Sequence, residues 1–400
     1  MAVSEGAGHG VTYPRGFTAG ATKAGVKTGR PERLDVALIV SDRPCTAAGL
    51  FTTNQVTAAP CIVSRRHLAD GSLRAIIVNS GTANACTGEQ GNRDAVAMAE
   101  AAAHLLGVAP DQIAVASTGV IGVPLPAGLI RTAVATIQTT VAGWDDTSRA
   151  IMTTDTRPKV AETAVRLAGG EVRVGGIAKG AGMIHPDMAT LLAFVTTDAA
   201  IDAATLGMVL KEAARDSFNS ISVDGDTSTN DTLLLLANGA SGVTVMAADR
   251  AAFAEAVRVV CAELARMVVA DGEGATKIFE VTVTGAATAA EARLAARTIT
   301  NSNLVKTAIH GADPNWGRIL AAAGRSGATV DAGRATVRVG DVVVYEVGAP
   351  RKVDLEAVRR IFSAPAIEIL LDLGLGTGTA TAWGSDLSAE YVRINAEYTT

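Results

Sequence analysis

Four hundred residues, 48% hydrophobic and 19% charged, are ample for one large α/β body or for two or three smaller units with filled cores. The 35 basic and 40 acidic residues leave a net charge of −5 with no basic block or aromatic-basic stripe, so no nucleic-acid partner is expected. No apolar run approaches the roughly 18 residues of a membrane helix, and residues 1–17 show neither a secretory nor an Arg-rich transit pattern. A soluble cytoplasmic protein is the expectation.

In chain order, segments 34–40, 73–78 and 112–116 are apolar and partly β-branched, the pattern of buried strands. Residues 92–106 and 126–141 carry apolar side chains at helical spacing, the second opening on Pro126 at a first helical position. Stretches 143–149 and 167–170 have loop composition, and 171–174 reads as a strand. Past the midpoint, 191–196 and 232–237 are expected as buried strands, separated by a helix over 203–217 that Asp202 would cap. A long helix is expected over 249–269, a strand over 277–284 and a short helix over 319–323. Strands follow over 337–347 and 367–373, and 374–378 reads as a hairpin turn before a β-like 379–383. Layered α/β architecture with mixed sheets fits this alternation.

Cys45, Cys61, Cys86 and Cys261 stand far apart, without a C-x-x-C pair or a histidine at ligand spacing, so reduced and mostly buried thiols and no metal site are expected. The glycine-rich segments 179–182, 272–277 and 374–378 lack the endings that would seat a nucleotide phosphate, and no cofactor is expected.

The run Lys179-Gly-Ala-Gly-Met-Ile-His-Pro-Asp-Met-Ala-Thr190 sets a hydroxyl between a glycine-rich approach and an apolar run. A threonine hydroxyl becomes a nucleophile when a base sits beside it, and cutting the preceding peptide bond creates such a base, the new α-amine. One reading makes Ala189-Thr190 a scissile bond and the chain a precursor of two; the other leaves Thr190 in a buried strand. Ser117-Thr-Gly-Val-Ile-Gly122 follows a strand, where Thr118 and Gly119 either donate to an oxyanion or merely turn the chain. Met152-Thr-Thr-Asp155 and Ser228-Thr-Asn-Asp231 have the composition of turns or caps. His310 and His185 read as structural hydrogen-bonding residues, and spacing permits no Ser/His/Asp assignment.

Taken together, these segments resemble the ornithine acetyltransferase family of arginine biosynthesis, from about Gly16 to the terminus. The motifs that carry the resemblance are Asn79-Ser-Gly-Thr-Ala-Asn-Ala-Cys-Thr-Gly88, Ser117-Thr-Gly119, Met152-Thr-Thr-Asp155, Lys179-Gly-Ala-Gly-Met183, Met188-Ala-Thr190, the stretch from Asp224 to Asp231, Asp271-Gly-Glu-Gly274, Asp313-Pro-Asn-Trp-Gly-Arg318 and Asn395-Ala-Glu-Tyr-Thr-Thr400. The resemblance implies self-cleavage between Ala189 and Thr190 into an α chain (1–189) and a β chain (190–400), associated as an α2β2 heterotetramer. It implies a layered fold related to self-processing aminopeptidases of the DmpA type. Thr190 would be the nucleophile, Thr118 and Gly119 the oxyanion hole, and Thr153 (with Thr154 as the alternative), Lys179, Thr190, Glu273, Asn395 and Thr400 the substrate contacts.

The implied activity is glutamate N-acetyltransfer. Acetyl moves from N2-acetylornithine to Thr190 and then to glutamate in ping-pong order, with acetyl-CoA as a possible second donor. Two alternatives share the same residues: a self-processing aminopeptidase or amidase in which water resolves the acyl-enzyme, and a non-catalytic binding module.

Overall fold

A computed structural model describes residues 8–27, 32–185 and 191–397. In chain order the strands are β1 Phe17–Thr22, β2 Val36–Phe51, β3 Ser72–Thr82, β4 Ile113–Val120, β5 Lys159–Leu167, β6 Gly170–Lys179, β7 Leu192–Thr197, β8 Ile221–Ser222, β9 Thr232–Ala237, β10 Ile278–Ala286, β11 Thr336–Val339, β12 Val342–Glu346, β13 Ala349–Pro350, β14 Ala366–Asp372 and β15 Gly378–Ser385.

The first sheet runs β4-β3-β2-β9-β7-β6-β5, with β1 also on β2, and mixes parallel pairs (β3 with β4, β7 with β9) with antiparallel ones. Its long strand β2 pairs with β3 from Val36 and with β9 over 46–51, so it passes from one layer into a second. Between those layers lies a core of Ile76, Val78 and Ala116 from β3 and β4 against Ile177, Phe194 and Leu236 from β6, β7 and β9. Period-two alternation buries the opposite faces too. Ala193, Val195 and Leu235 pack on the helices Ala203–Arg215 and Arg250–Ala270 through Leu206, Leu210, Val257 and Leu264. On the other side, Ile77 and Val115 pack on the helix Gly88–Leu106 through Met98 and Ala102. Helix, sheet, sheet and helix thus form four layers, and β7 opens on an apolar run from Leu192 to Val195 because both of its faces are covered.

The second sheet, β13-β12-β11-β14-β10-β15-β8, lies wholly within the C-terminal half. Its core sets Val281, Ile369 and Leu371 against Ala296 and Ile299 of the helix Ala289–Thr300 and Phe362 of the helix Leu355–Phe362. Layered α/β architecture with mixed sheets is what the alternation of segments led one to expect. Among the described residues no helix is long and apolar enough to cross a membrane.

Several local expectations are corrected. The helix expected over 126–141 stops at Val134, with Pro126 as its N-cap. Stretch 143–149 is no loop: Trp144–Ala150 is helical, with Asp145 and Asp146 in its first turn, an Asp145–Arg149 ion pair at 3.0 Å, and Thr147, Ser148 and Ala150 buried. Tertiary burial holds a segment whose glycine and hydroxyl content argued for a loop. Segment 337–347 is a hairpin, β11 and β12, that reverses at Gly340 with φ +55°. Segment 374–378 is not a hairpin turn, because β14 and β15 flank β10 instead of pairing together. The connection crosses the end of β10, where Leu375 and Gly376 donate to the Gly285 carbonyl at 2.7 and 2.9 Å.

Candidate active site

A cleft opens where the C-terminal ends of β4 and β6 meet the residues that lead into β7 and β9. Its walls include Thr118, Gly119, Thr153, Lys179, Glu273 and Asn395, drawn from both halves of the sequence. The parallel ladder of β3 and β4 slips at this end, so that Thr82 lies opposite both Thr118 and Val120. Gly119 faces Gly81 there with φ +133°, and a Cβ on it would stand 2.3 Å from the Gly81 carbonyl carbon. Only glycine fits that close crossing. Asn230 ties the two layers at the same point, donating its amide to the Ala83 and Ser117 carbonyls at 2.6 and 2.9 Å.

Lys179, the last residue of β6 and 7% exposed, carries the cation of the cleft. Its Nζ donates to Thr153 Oγ1 at 2.8 Å and Thr118 Oγ1 at 3.3 Å, and lies 3.8 Å from Asp155 Oδ2. Of the neighbouring pair Thr153 and Thr154, both of which line the cleft, Thr153 is the one held by this ammonium. Burial draws the Lys179 pKa down, the Asp155 charge opposes that, and Lys159 adds to it.

Beneath Lys179 runs a buried ion chain. Lys159, 1% exposed, reaches Asp155 Oδ1 and Asp271 Oδ2 at 2.6 Å each. Asp155 also accepts from the backbone N–H groups of Gly180 at 2.6 Å and Thr153 at 3.0 Å. Burial pushes the Asp155 carboxyl up, yet the charges of Lys159 and Lys179 outweigh it and hold the group below the usual carboxylate range. Asp271 ends the helix Arg250–Ala270 and accepts from the backbone N–H and the hydroxyl of Thr156. Two residues on, Glu273 donates its N–H to the Ala181 carbonyl at 2.9 Å and accepts from Asn395 Nδ2 at 2.9 Å. Gly182 leaves room for that carboxylate, which would meet a Cβ at 2.5 Å. One ion chain therefore fixes both the Thr153/Lys179 wall and the Glu273 loop.

Asp224 anchors the strip that leads away from Lys179. Its carboxylate accepts from Met183 N–H at 2.6 Å and Ile184 N–H at 2.8 Å, with Met183 at φ +57°. Ala189 and Thr190 lie outside the described residues, as does Thr400; the described chain resumes at Leu191, which lines the cleft. His310 bonds Asp386 at 2.7 Å, and His185 faces Ser222 and Arg297 at 3.2 and 3.3 Å, so both are held in side-chain contacts as structural histidines are. Cys45, Cys61 and Cys261 are buried free thiols that burial pushes up to about 12, too high for a nucleophile at neutral pH. Among the described residues no group of three or more His, Cys, Asp or Glu side chains converges to hold a metal ion.

Sequence reading by itself assigned no role to Lys159, Asn230 or Asp231. Asp231 is buried in the cleft wall and, among the described residues, neither carboxylate oxygen has a hydrogen-bond partner. Its signal in the sequence was faint: a polar cluster, Ser228-Thr-Asn-Asp231, immediately before an apolar strand, a composition shared by ordinary turns. As a whole the cleft offers hydroxyl and backbone donors, a buried cation and a carboxylate around one space. Acyl transfer between charged small molecules needs that set.

A model described as the ArgJ family matches residues 18–400. The chain belongs to the ArgJ family. Among ArgJ-family relatives, the arginine biosynthesis bifunctional protein ArgJ of Symbiobacterium thermophilum is 50% identical over 396 residues, covering 98% of each chain. The protein of the same name from Thermus thermophilus is 50% identical over 393 residues, covering 98% of this chain and 100% of the relative. A crystal structure of the arginine biosynthesis bifunctional protein ArgJ of Bacillus halodurans is 44% identical, with a TM-score of 0.50, and spans 51% of this chain and 98% of its own.

Proposed function

We propose that this ArgJ-family chain is the glutamate N-acetyltransferase of arginine biosynthesis, an ornithine acetyltransferase that passes acetyl from N2-acetylornithine to glutamate. The observation that carries the reading is the single cleft that gathers Thr118, Gly119, Thr153, Lys179, Glu273 and Asn395 from segments more than 200 positions apart in a chain matched by the family almost end to end.

In this mechanism the Ala189-Thr190 bond is cut first, and the freed α-amine of Thr190, with an ordinary pKa of roughly 7.7–8.0, takes the hydroxyl proton. The hydroxyl attacks the acetyl carbonyl of N2-acetylornithine, ornithine leaves, and glutamate resolves the acetyl-Thr190 ester in a second step. The Thr118 hydroxyl and the Gly119 N–H stabilise the oxyanion in both steps. Lys179 and Thr153 bind a carboxylate, Glu273 with Asn395 binds an ammonium, and Thr400, through its side chain or terminal carboxylate, pairs with a charged end of the substrate. The amide broken and the amide made are nearly identical, so the exchange runs close to thermoneutral and needs no external energy source.

The Bacillus halodurans chain aligns over 98% of its own length with only 51% of this one, the length relation expected of one product of a central cut. The products, residues 1–189 and 190–400, are read as an α2β2 heterotetramer in the cytoplasm. The relatives are named bifunctional; the second activity proposed here is acetylation of glutamate from acetyl-CoA, with no resident cofactor. Mixing the purified protein with N2-acetylornithine, with and without glutamate, tests the reading. Ornithine release sustained only with glutamate is expected, and equal release without it would mean hydrolysis. Thr190→Ala should give one uncut band on a denaturing gel and no turnover.

A further inference from the structure

Acetyl exchange between two amines moves a proton into the site and out again. In the first half-reaction the enzyme hydroxyl, N2-acetylornithine and one proton become the acetyl-ester enzyme and ornithine with its α-nitrogen as –NH3+. In the second, the ester and glutamate bearing –NH3+ become the free hydroxyl, N-acetylglutamate and one proton. The α-amine at 190 relays the hydroxyl proton to the departing nitrogen and ends neutral. It thus accounts for the first of the two protons that nitrogen gains, and the second needs another source.

Asp231 has the surroundings of such a source. It is 1% exposed, its two carboxylate oxygens are buried without a hydrogen bond among the described residues, and it lines the same cleft as Thr118, Gly119 and Lys179. Leu191 passes beside it, its carbonyl accepting from Thr232 N–H at 3.0 Å. Around the carboxyl stand the Ser228 and Thr52 hydroxyls and the Leu191 N–H, none closing to full hydrogen-bond geometry. The titratable groups acting on it are Lys179, from the end of β6, and Cys61, from the helix Ala59–His67, whose thiol lies 3.7 Å from the Asp231 carbonyl oxygen. An ionised carboxylate that is desolvated and without well-formed hydrogen bonds is disfavoured relative to the neutral acid. Burial accordingly pushes Asp231 well above the usual carboxylate range, even against Lys179. Asp155, as deeply set but paired with Lys159, is moved the other way. One aspartate in the cleft wall and one beneath Lys179 thus differ in proton affinity because only the second is paired.

We propose that Asp231 is the proton store of the transfer cycle. Protonated in the free enzyme, it yields its proton to the departing ornithine nitrogen and regains one from the ammonium of glutamate or, where none arrives, from solvent once ornithine has left. The departing and arriving ammonium groups face the carboxylate while it is charged, and Ser228, which also lines the cleft, offers a hydroxyl for relay. The proposal rests on the acetyl-transfer reading above.

The test is a single turnover of the processed full-length protein with N2-acetylornithine and no glutamate. It is run in weak buffer with a pH indicator, while mass spectrometry counts acetyl groups on the enzyme. Wild type near neutral pH should form the acetyl ahead of proton uptake from solvent, the lag vanishing as alkaline pH empties the store. Asp231→Asn should take up its proton in step with the acetyl at neutral pH and form the acetyl-enzyme more slowly. Wild-type uptake in step with the acetyl at every pH overturns the proposal, and so does an Asn variant with the wild-type lag. If the Asn variant fails to fold or to cleave, the wild-type pH series decides alone. Absence of any acetyl-enzyme in wild type instead defeats the acetyl-transfer reading itself, which keeps the two failures distinct.

Discussion

Thr118 and Gly119 adjoin in sequence but contribute through different physics. Gly119 is required by its φ of +133° and by the 2.3 Å that a Cβ would leave to Gly81. Gly119→Ala should therefore strain the ladder by about 1–3 kcal/mol and move the end of β4, seen as a lower melting temperature together with lost transfer activity. A variant of wild-type stability and activity would refute the close-crossing argument. Thr118 contributes a hydroxyl whose neighbour in the cleft is Lys179, 3.3 Å away. Thr118→Val keeps the shape of the side chain and removes that donor. The expected result is a fall in kcat of roughly 100-fold or more, with KM within a few-fold of wild type and an unchanged melting temperature. A rise in KM with kcat preserved would assign the hydroxyl to binding instead.

At the scale of elements, the Asp155–Lys159–Asp271 chain connects the start of β5, the Thr153/Lys179 wall and the loop after the helix Arg250–Ala270. Lys159→Met strands two buried carboxylates. It should destabilise the protein by about 3–5 kcal/mol in a denaturant titration, far beyond the roughly 0–1 kcal/mol of an exposed pair such as Arg359–Glu356. The pH dependence has a definite sign. Folded Asp155 holds its proton less tightly than the unfolded chain, so its stabilisation is complete above the unfolded value of roughly 3.9 and lost as pH falls through the lower folded one. The stability gap between wild type and Lys159→Met should thus shrink in acid below about pH 4. A gap that is flat with pH would show that lost packing, not charge, causes the defect.

For the molecule as a whole, the proposed cut at 189/190 falls in sequence between β6 and β7, two paired strands of the first sheet. β6 and β7 pair from Val174↔Thr197 to Lys179↔Leu192, and β2 pairs with β9 from Thr46↔Ala237 to Phe51↔Thr232. Strands from either side of the junction also share the core between the two layers, where Ile76 and Val78 meet Phe194 and Leu236. Two covalently separate segments would therefore stay together without a linker. The expected outcome is one particle on size exclusion in native buffer and two bands near half of 40.6 kDa on a denaturing gel. Separation of the segments in native buffer would contradict the shared sheet.

Much of this was legible in the residues. Buried strands such as β7 and β9 announced themselves as apolar runs, Asp202 caps its helix through Thr205 N–H at 2.9 Å, and the long helix Arg250–Ala270 followed its periodicity. Burial and hydrogen bonding along the local chain set these features, and both are written in residue order. Motif resemblance likewise named Thr118, Lys179 and Glu273 without any coordinate. The helix Trp144–Ala150 and the crossing of 374–378 over β10 were not legible, because contacts from distant segments override local propensity there. Lys159 reads in sequence as one more strand lysine, and Asp231 as one more turn residue. Their character comes from desolvation and from which charges the fold brings within a few ångströms, so the sequence determined the kind of protein, and only the tertiary structure decided which aspartate is paired and which is left to hold a proton.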